Sequence, residues 1–149
     1  MKRKNIAPYK STLEYKLAKL IPQCEYEPKG SKVPYSIHHE YVPDFIHPNQ
    51  PDVLLEAKGY FINGYKDCQK YLAVQECNPN KELIFIFSDP FKRAYPQCRV
   101  RKDGSVLSLA EWCVGNNFLY FKVEKIPTEI INGMWNVDAV RDYKRRLYN

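Results

Sequence analysis

What the sequence lacks narrows its class first. It has no Cys-x-x-Cys pair, and its five cysteines, Cys24, Cys68, Cys77, Cys98 and Cys113, are an odd number. That argues against both a disulfide framework and a structural zinc site, and fits a reducing, cytoplasmic compartment. The only histidines are His38, His39 and His47, with no cysteine partners at metal-ligand spacing, so they read as surface or turn residues. No apolar run is long enough to span a bilayer. Pro8 and Lys10 interrupt what would be the apolar part of a leader after Met1-Lys2-Arg3-Lys4. Internal repeats, low-complexity tracts and interior linkers are also missing. Acidic residues are in deficit, 17 against 23 Lys and Arg, for a formal net charge of +6. Such a balance favours an anionic partner, and nucleic acid suits it better than a membrane.

At 149 residues, 44% hydrophobic and 14% aromatic, the chain is long enough for one domain with a real core and too short for two. The most informative stretch runs from Tyr41 to Gly59. Val53-Leu54-Leu55-Glu56-Ala57-Lys58 is apolar, short and bounded by Pro51 and Gly59, which predicts a strand. Period two then puts Glu56 and Lys58 on one face. Three apolar residues ahead of the pair make the strand look central, where charges are costly unless neutralised. A turn at Asn49-Gln50-Pro51 would return the chain so that Asp44 reaches the same face. Two carboxylates and one lysine make a candidate metal site with a companion base. The plainer reading of Glu56 and Lys58 is a solvated charged face.

Around this stretch the chain reads as alternating helices and strands. Ser11-Thr12-Leu13-Glu14 is a capping box opening a helix with Leu13, Leu17, Leu20 and Ile21 on one stripe, ended by Pro22. On that spacing alone, Glu14 is a helix cap. Cys24 to Glu27 reads as a strand, and Val33-Pro34-Tyr35-Ser36-Ile37 as an extended edge or bridge, because Pro34 cannot sit inside a sheet. A helix follows from Lys66 to Cys77 with Cys68, Tyr71, Leu72 and Gln75 on one face, then a fully apolar strand, Leu83 to Phe87. Ser108 to Glu111 is a second capping box, Phe118 to Val123 a further strand, and a last helix from Pro127 ends in a basic tail, Arg141 to Arg146. Candidate phosphate contacts are Lys2, Arg3, Lys4 and Lys10 in the N-terminal arm, Lys66 and Lys70 on the second helix, and Lys92, Arg93, Arg99, Arg101 and Lys102 in the irregular stretch between Phe91 and Asp103.

Pro43-Asp44 followed by Glu56-x-Lys58 resembles the PD-(D/E)XK nuclease signature. The whole order of pieces is similar to bacteriophage endonuclease I, the Holliday-junction resolvase of T-odd coliphage type. Ser11-x-Leu13-Glu14, Glu25-Tyr26-Glu27, Lys32-Val33-Pro34-Tyr35, Pro43-Asp44-Phe45, Glu56-x-Lys58-Gly59, Glu111-aromatic-Cys113 and Ile126-Pro127 carry the resemblance, from about Ser11 to Ile131. It implies an α/β fold with a restriction-endonuclease-like mixed sheet flanked by helices. It also implies an intertwined homodimer whose halves are exchanged through 33–37. Glu14, Asp44, Glu56 and Lys58 match the family's catalytic positions, with Glu14, Asp44, Glu56 and the Ala57 carbonyl as ligands to two Mg2+ ions per site, for which Mn2+ would substitute. The implied substrate is branched double-stranded DNA, in a phage-infected or prophage-bearing bacterial cell, with no membrane and no small-molecule cofactor. A sequence- or mismatch-directed endonuclease of the same superfamily, and a DNA-binding module with a degenerate site, are the competing readings.

Overall fold

A computed structural model describes residues 5–148, so Lys2, Arg3 and Lys4 lie outside the described residues. The chain divides into two compact units, residues 1–39 and 40–149.

Among its described residues the first unit holds one regular element, α1 (Thr12–Leu20). The capping box forms as expected. The Ser11 hydroxyl accepts the Glu14 N–H at 3.1 Å, and the Glu14 carboxylate accepts the Ser11 N–H at 3.0 Å. No residue of α1 is buried, and Leu13, Leu17 and Leu20 are all exposed. The strand expected over Cys24 to Glu27 does not form. There the Cys24 N–H bonds back to the Ile21 carbonyl and Glu27 takes a positive φ of 43°, so the segment turns instead of extending. Its aromatic residue packs locally, Tyr26 edge-on to Tyr9 with centroids 4.8 Å apart. Residues 33–37 make no ladder with any described residue, and Val33, Tyr35 and Ile37 are exposed.

The second unit is an α/β arrangement of three layers. Its sheet has strand order β1 (Val53–Lys58), β2 (Glu82–Phe87), β3 (Leu119–Lys122), all parallel. The helices are α2 (Tyr65–Cys77), α3 (Leu109–Gly115), α4 (Thr128–Ile131) and α5 (Val137–Tyr148), with a 3-10 turn at Val123–Lys125. Alternation along the strands sorts the core into two clusters. Leu54, Leu83, Phe85 and Phe87 pack with Cys68 and Tyr71 of α2 and with Leu109, Trp112 and Cys113 of α3. On the other face Val53, Ile84, Leu119 and Phe121 pack with Ile130 of α4 and Val140 of α5.

Four expectations are corrected. The sheet is parallel, and its only antiparallel pairing among the described residues near β1 is the single bridge Phe45–Leu55. The strand β1 is an edge and β2 is central, because the segment carrying Asp44 pairs with β1 at that one position only. On α2 the buried face is Asp67, Cys68 and Tyr71, and Leu72 is exposed. The basic tail is the ordered helix α5, separated from α4 by a turn at Gly133. That glycine has φ +68°, and a Cβ there would lie 2.2 Å from Nδ1 of His47. Within α5, Lys144 is buried, bonding Glu82 at 2.7 Å and the Asn117 carbonyl at 2.9 Å, while Arg141 bonds Glu82 at 2.9 Å.

Candidate active site

Alternation along β1 places Leu54, Glu56 and Lys58 on one face, and at its carboxyl end that face passes from core to solvent. Glu56 is only 3% exposed. Withdrawing a carboxylate from water costs several kcal/mol, on the order of the penalty for any unpaired buried ion, so it must be compensated. Three donors do this. Oε1 accepts the Tyr71 hydroxyl at 2.8 Å and lies 3.2 Å from the Lys58 ammonium, while Oε2 accepts the Tyr41 hydroxyl. The two tyrosine rings meet at 90° with centroids 6.0 Å apart, and the Lys58 ammonium sits 5.7 Å from the centre of the Tyr71 ring. Burial, then the hydrogen bond to Glu56, pushes both tyrosine hydroxyls well above their ordinary range, so they remain proton donors.

Asp44 enters from the neighbouring segment. The Phe45 and Leu55 main chains exchange both hydrogen bonds at 3.0 Å, so the next bonded pair of an antiparallel ladder would be Pro43 with Ala57. Pro43 has no N–H to give, and the ladder stops. The Asp44 carboxylate takes the place of the Pro43 carbonyl as acceptor, its Oδ2 bonding the Ala57 N–H at 2.9 Å. Leu55 directs its main-chain groups at Phe45, and two residues on Ala57 directs both its N–H and its C=O to this same outer edge. The expected turn forms through Gln50, whose N–H bonds the His47 carbonyl at 2.9 Å. The buried Gln50 side chain then pins the turn, donating to the Ile130 carbonyl at 2.9 Å and accepting the Trp135 N–H at 3.1 Å.

The structure therefore brings Asp44, Glu56, Ala57 and Lys58 together at the exposed end of one strand. Glu14 belongs to the first unit. Its Oε2 accepts the Lys10 N–H at 2.7 Å, the Ser11 N–H at 3.0 Å and the Tyr26 hydroxyl at 3.1 Å, and these bonds, the Lys10 amide foremost, hold its carboxyl below the usual range. Among the described residues no three His, Cys, Asp or Glu side chains gather closely enough to hold a metal ion. The donors present at the β1 edge, two carboxylates and a carbonyl, are all hard oxygens of the kind Mg2+ takes while keeping several waters.

Tyr41, Tyr71 and Gln50 were missed by sequence reasoning. Tyr71 had a signal, its place on the apolar face of the helix following Glu56-x-Lys58, where a hydroxyl needs a buried partner.

The cations divide by environment. Lys66, Arg93 and Arg99 are exposed, the Arg93 guanidinium donating to the Pro96 carbonyl at 3.2 Å. Lys70 lies over the Tyr71 ring at 4.6 Å, and Lys92 over the Tyr60 ring at 5.1 Å. Lys10 is paired with Glu27, and Arg101 with Glu111 at 2.8 Å, so both already have acidic partners.

No curated protein matches the sequence. A sequence model of the family described as phage endonuclease I matches residues 1–145, nearly the whole chain and well beyond the acid-lysine motif. This chain belongs to the phage endonuclease I family, and is by that membership an endodeoxyribonuclease of phage type.

Proposed function

We propose that the chain is a magnesium-dependent endonuclease that resolves four-way DNA junctions and cuts other branched DNA by phosphodiester hydrolysis, acting as an intertwined homodimer in the cytoplasm of the infected cell. The observation that carries the reading is the β1 edge, where the Asp44 carboxylate and the Ala57 carbonyl share one side of a strand whose next face holds Glu56 and Lys58. Asp44, Glu56 and the Ala57 carbonyl would hold the metal. When bound, divalent magnesium supplies positive charge that lowers the pKa of water and offsets negative charge on a reacting phosphodiester.

The chain's own groups have separable roles. Lys58, partly exposed beside Glu56, orients or deprotonates the attacking water and compensates charge on the scissile phosphate. Tyr41 and Tyr71 fix the Glu56 carboxylate, and a bound cation would take the place of one of its present donors.

Two cuts in one junction require two sites, which a twofold dimer provides. The first unit supports an exchanged arrangement. Leu13, Leu17 and Leu20 form an exposed stripe, and Val33, Tyr35 and Ile37 an exposed period-two face on a segment without a ladder partner. Covering each large apolar side chain against a second copy is worth about 2 kcal/mol. In that dimer the nuclease domain is assembled across two chains, and Glu14 of one completes the site of the other. Its cap bonds fall on Oε2, so capping and metal binding can use different oxygens of one carboxylate.

The test is cleavage by purified protein, with and without magnesium, of four-way, nicked, mismatched and linear DNA of unrelated sequences. Metal-dependent cutting that follows branch shape is the expected result. Cutting confined to one sequence or to mismatches would overturn the substrate assignment, and no cutting on any substrate would leave a DNA-binding module.

A further inference from the structure

The loops that follow β1 and β2 leave the sheet at the same end, because the strands are parallel with Lys58 opposite Phe87. This is the end where open α/β sheets bind ligands. The two loops are joined. Phe61, fully buried, anchors the first and donates its N–H to the Ala94 carbonyl at 2.8 Å, and the Lys92 ammonium lies 5.1 Å from the centre of the Tyr60 ring.

At the tip of the second loop Phe91 is 77% exposed. Its backbone is held on every side. The Phe91 N–H bonds the Asp89 carboxylate at 3.0 Å, the Pro90 carbonyl accepts the Ala110 N–H at 2.8 Å, the Lys92 carbonyl accepts the Leu109 N–H at 3.0 Å, and Arg93 bridges to Ser108. A phenylalanine displayed on a fixed turn serves neither core. Tyr60 and Ile62 of the first loop and Tyr65 at the start of α2 are also exposed, as are the cations Lys66, Lys92 and Arg93, with the Lys92 ammonium over the Tyr60 ring. Aromatic faces among cations are the surface that single-stranded or unstacked bases take, rings against bases and ammonium or guanidinium groups against the flanking phosphates. Paired duplex offers no free base face, whereas a branch point does.

We infer that Phe91, on the turn whose Lys92 ammonium lies over the Tyr60 ring, is a stacking platform for a base exposed at the branch point, and that it contributes to the choice of branched over linear DNA. This rests on the branched-DNA reading above and deepens it, giving the same site a means of discrimination beyond phosphate geometry.

The test compares equilibrium binding to a four-way junction and to linear duplex of matched sequence, without divalent metal, for wild type, Phe91→Ala, Phe91→Trp and the double variant Lys92→Gln/Arg93→Gln. Loss of one stacked base should weaken junction binding by Phe91→Ala about tenfold, with duplex binding within about twofold of wild type. Phe91→Trp keeps a stacking face and should bind junctions like wild type. The double cation variant should weaken both DNAs together, as phosphate contacts do. The inference is overturned if Phe91→Ala leaves junction binding unchanged or weakens both DNAs equally, or if Phe91→Trp fails as alanine does. Wild type that binds junction and duplex equally defeats the branched-DNA reading itself, and this inference with it.

Discussion

The Asp44 carboxylate accepts the main-chain N–H of Ala57 at 2.9 Å, in the place the Pro43 carbonyl would take if the ladder ran on. Pro43 has no N–H to give the Ala57 carbonyl, so that carbonyl is left without the donor a continued ladder would supply, on the same strand edge as the Asp44 carboxylate.

That geometry separates two roles of Asp44. Asparagine keeps an oxygen able to accept from Ala57 but carries no charge, whereas alanine removes both. Asp44→Asn should melt like wild type and lose cleavage by at least about 100-fold, while Asp44→Ala should lose as much activity and about 1 kcal/mol of stability besides. Denaturant titrations and single-turnover cleavage of the two variants check this. Asp44→Asn cutting near the wild-type rate would remove Asp44 from the metal-binding set.

The tyrosines around Glu56 should matter most where no metal is bound. Tyr71→Phe leaves a buried carboxylate oxygen with one donor fewer and should cost about 1–3 kcal/mol in metal-free denaturant unfolding. Stability should also fall on the alkaline side. Burial pushes the Cys68 thiol up to about 11, and burial and Glu56 raise Tyr41 and Tyr71. The folded state therefore keeps protons that the unfolded chain releases, from about pH 9 for the thiols and about pH 10 for the tyrosines. The contribution is fully present below those values and is lost as pH rises through the raised ones. Unfolding curves between pH 8 and 11 should show the Tyr41→Phe/Tyr71→Phe protein losing less stability above about pH 10 than wild type. An identical slope in both would count against the hydroxyl pair.

Lys144 should prove structural. Bonded to Glu82 and the Asn117 carbonyl in the interior, it cannot reach a phosphate without abandoning a buried carboxylate. Lys144→Met should lower stability by about 3–5 kcal/mol as read by denaturant unfolding. Lys66→Gln, at an exposed helix position, should leave stability within about 0.5 kcal/mol and instead reduce the salt dependence of DNA binding.

Much of the second unit was legible because its signals are local. The capping box at Ser108, the apolar run of β2 and the turn before β1 each follow from a few neighbouring residues, as does the capping box at Ser11 in the first unit. The position of β1 at the sheet edge was not, since strand order depends on partners distant in sequence. Lys144 read as part of a tail because its partner, Glu82, lies 62 positions away. In the site, Asp44, Glu56 and Lys58 were legible from spacing, whereas Tyr41 and Tyr71 were hidden by the ordinary role of tyrosine as core filler. Glu14 is the residue whose local signal and family resemblance pointed to different roles. The cap is formed, and the role the resemblance implies would depend on the proposed assembly.

That assembly is the central claim, and subunit mixing tests it most directly. Glu14→Ala and Asp44→Ala proteins, each expected to be inactive alone, are unfolded together and refolded, heterodimer formation is verified, and junction cleavage is measured. In an exchanged heterodimer both lesions fall in one composite site and the other site is intact, so cleavage activity should return. Heterodimers that form and stay inactive would contradict the exchange, because in an unexchanged dimer each site carries one lesion.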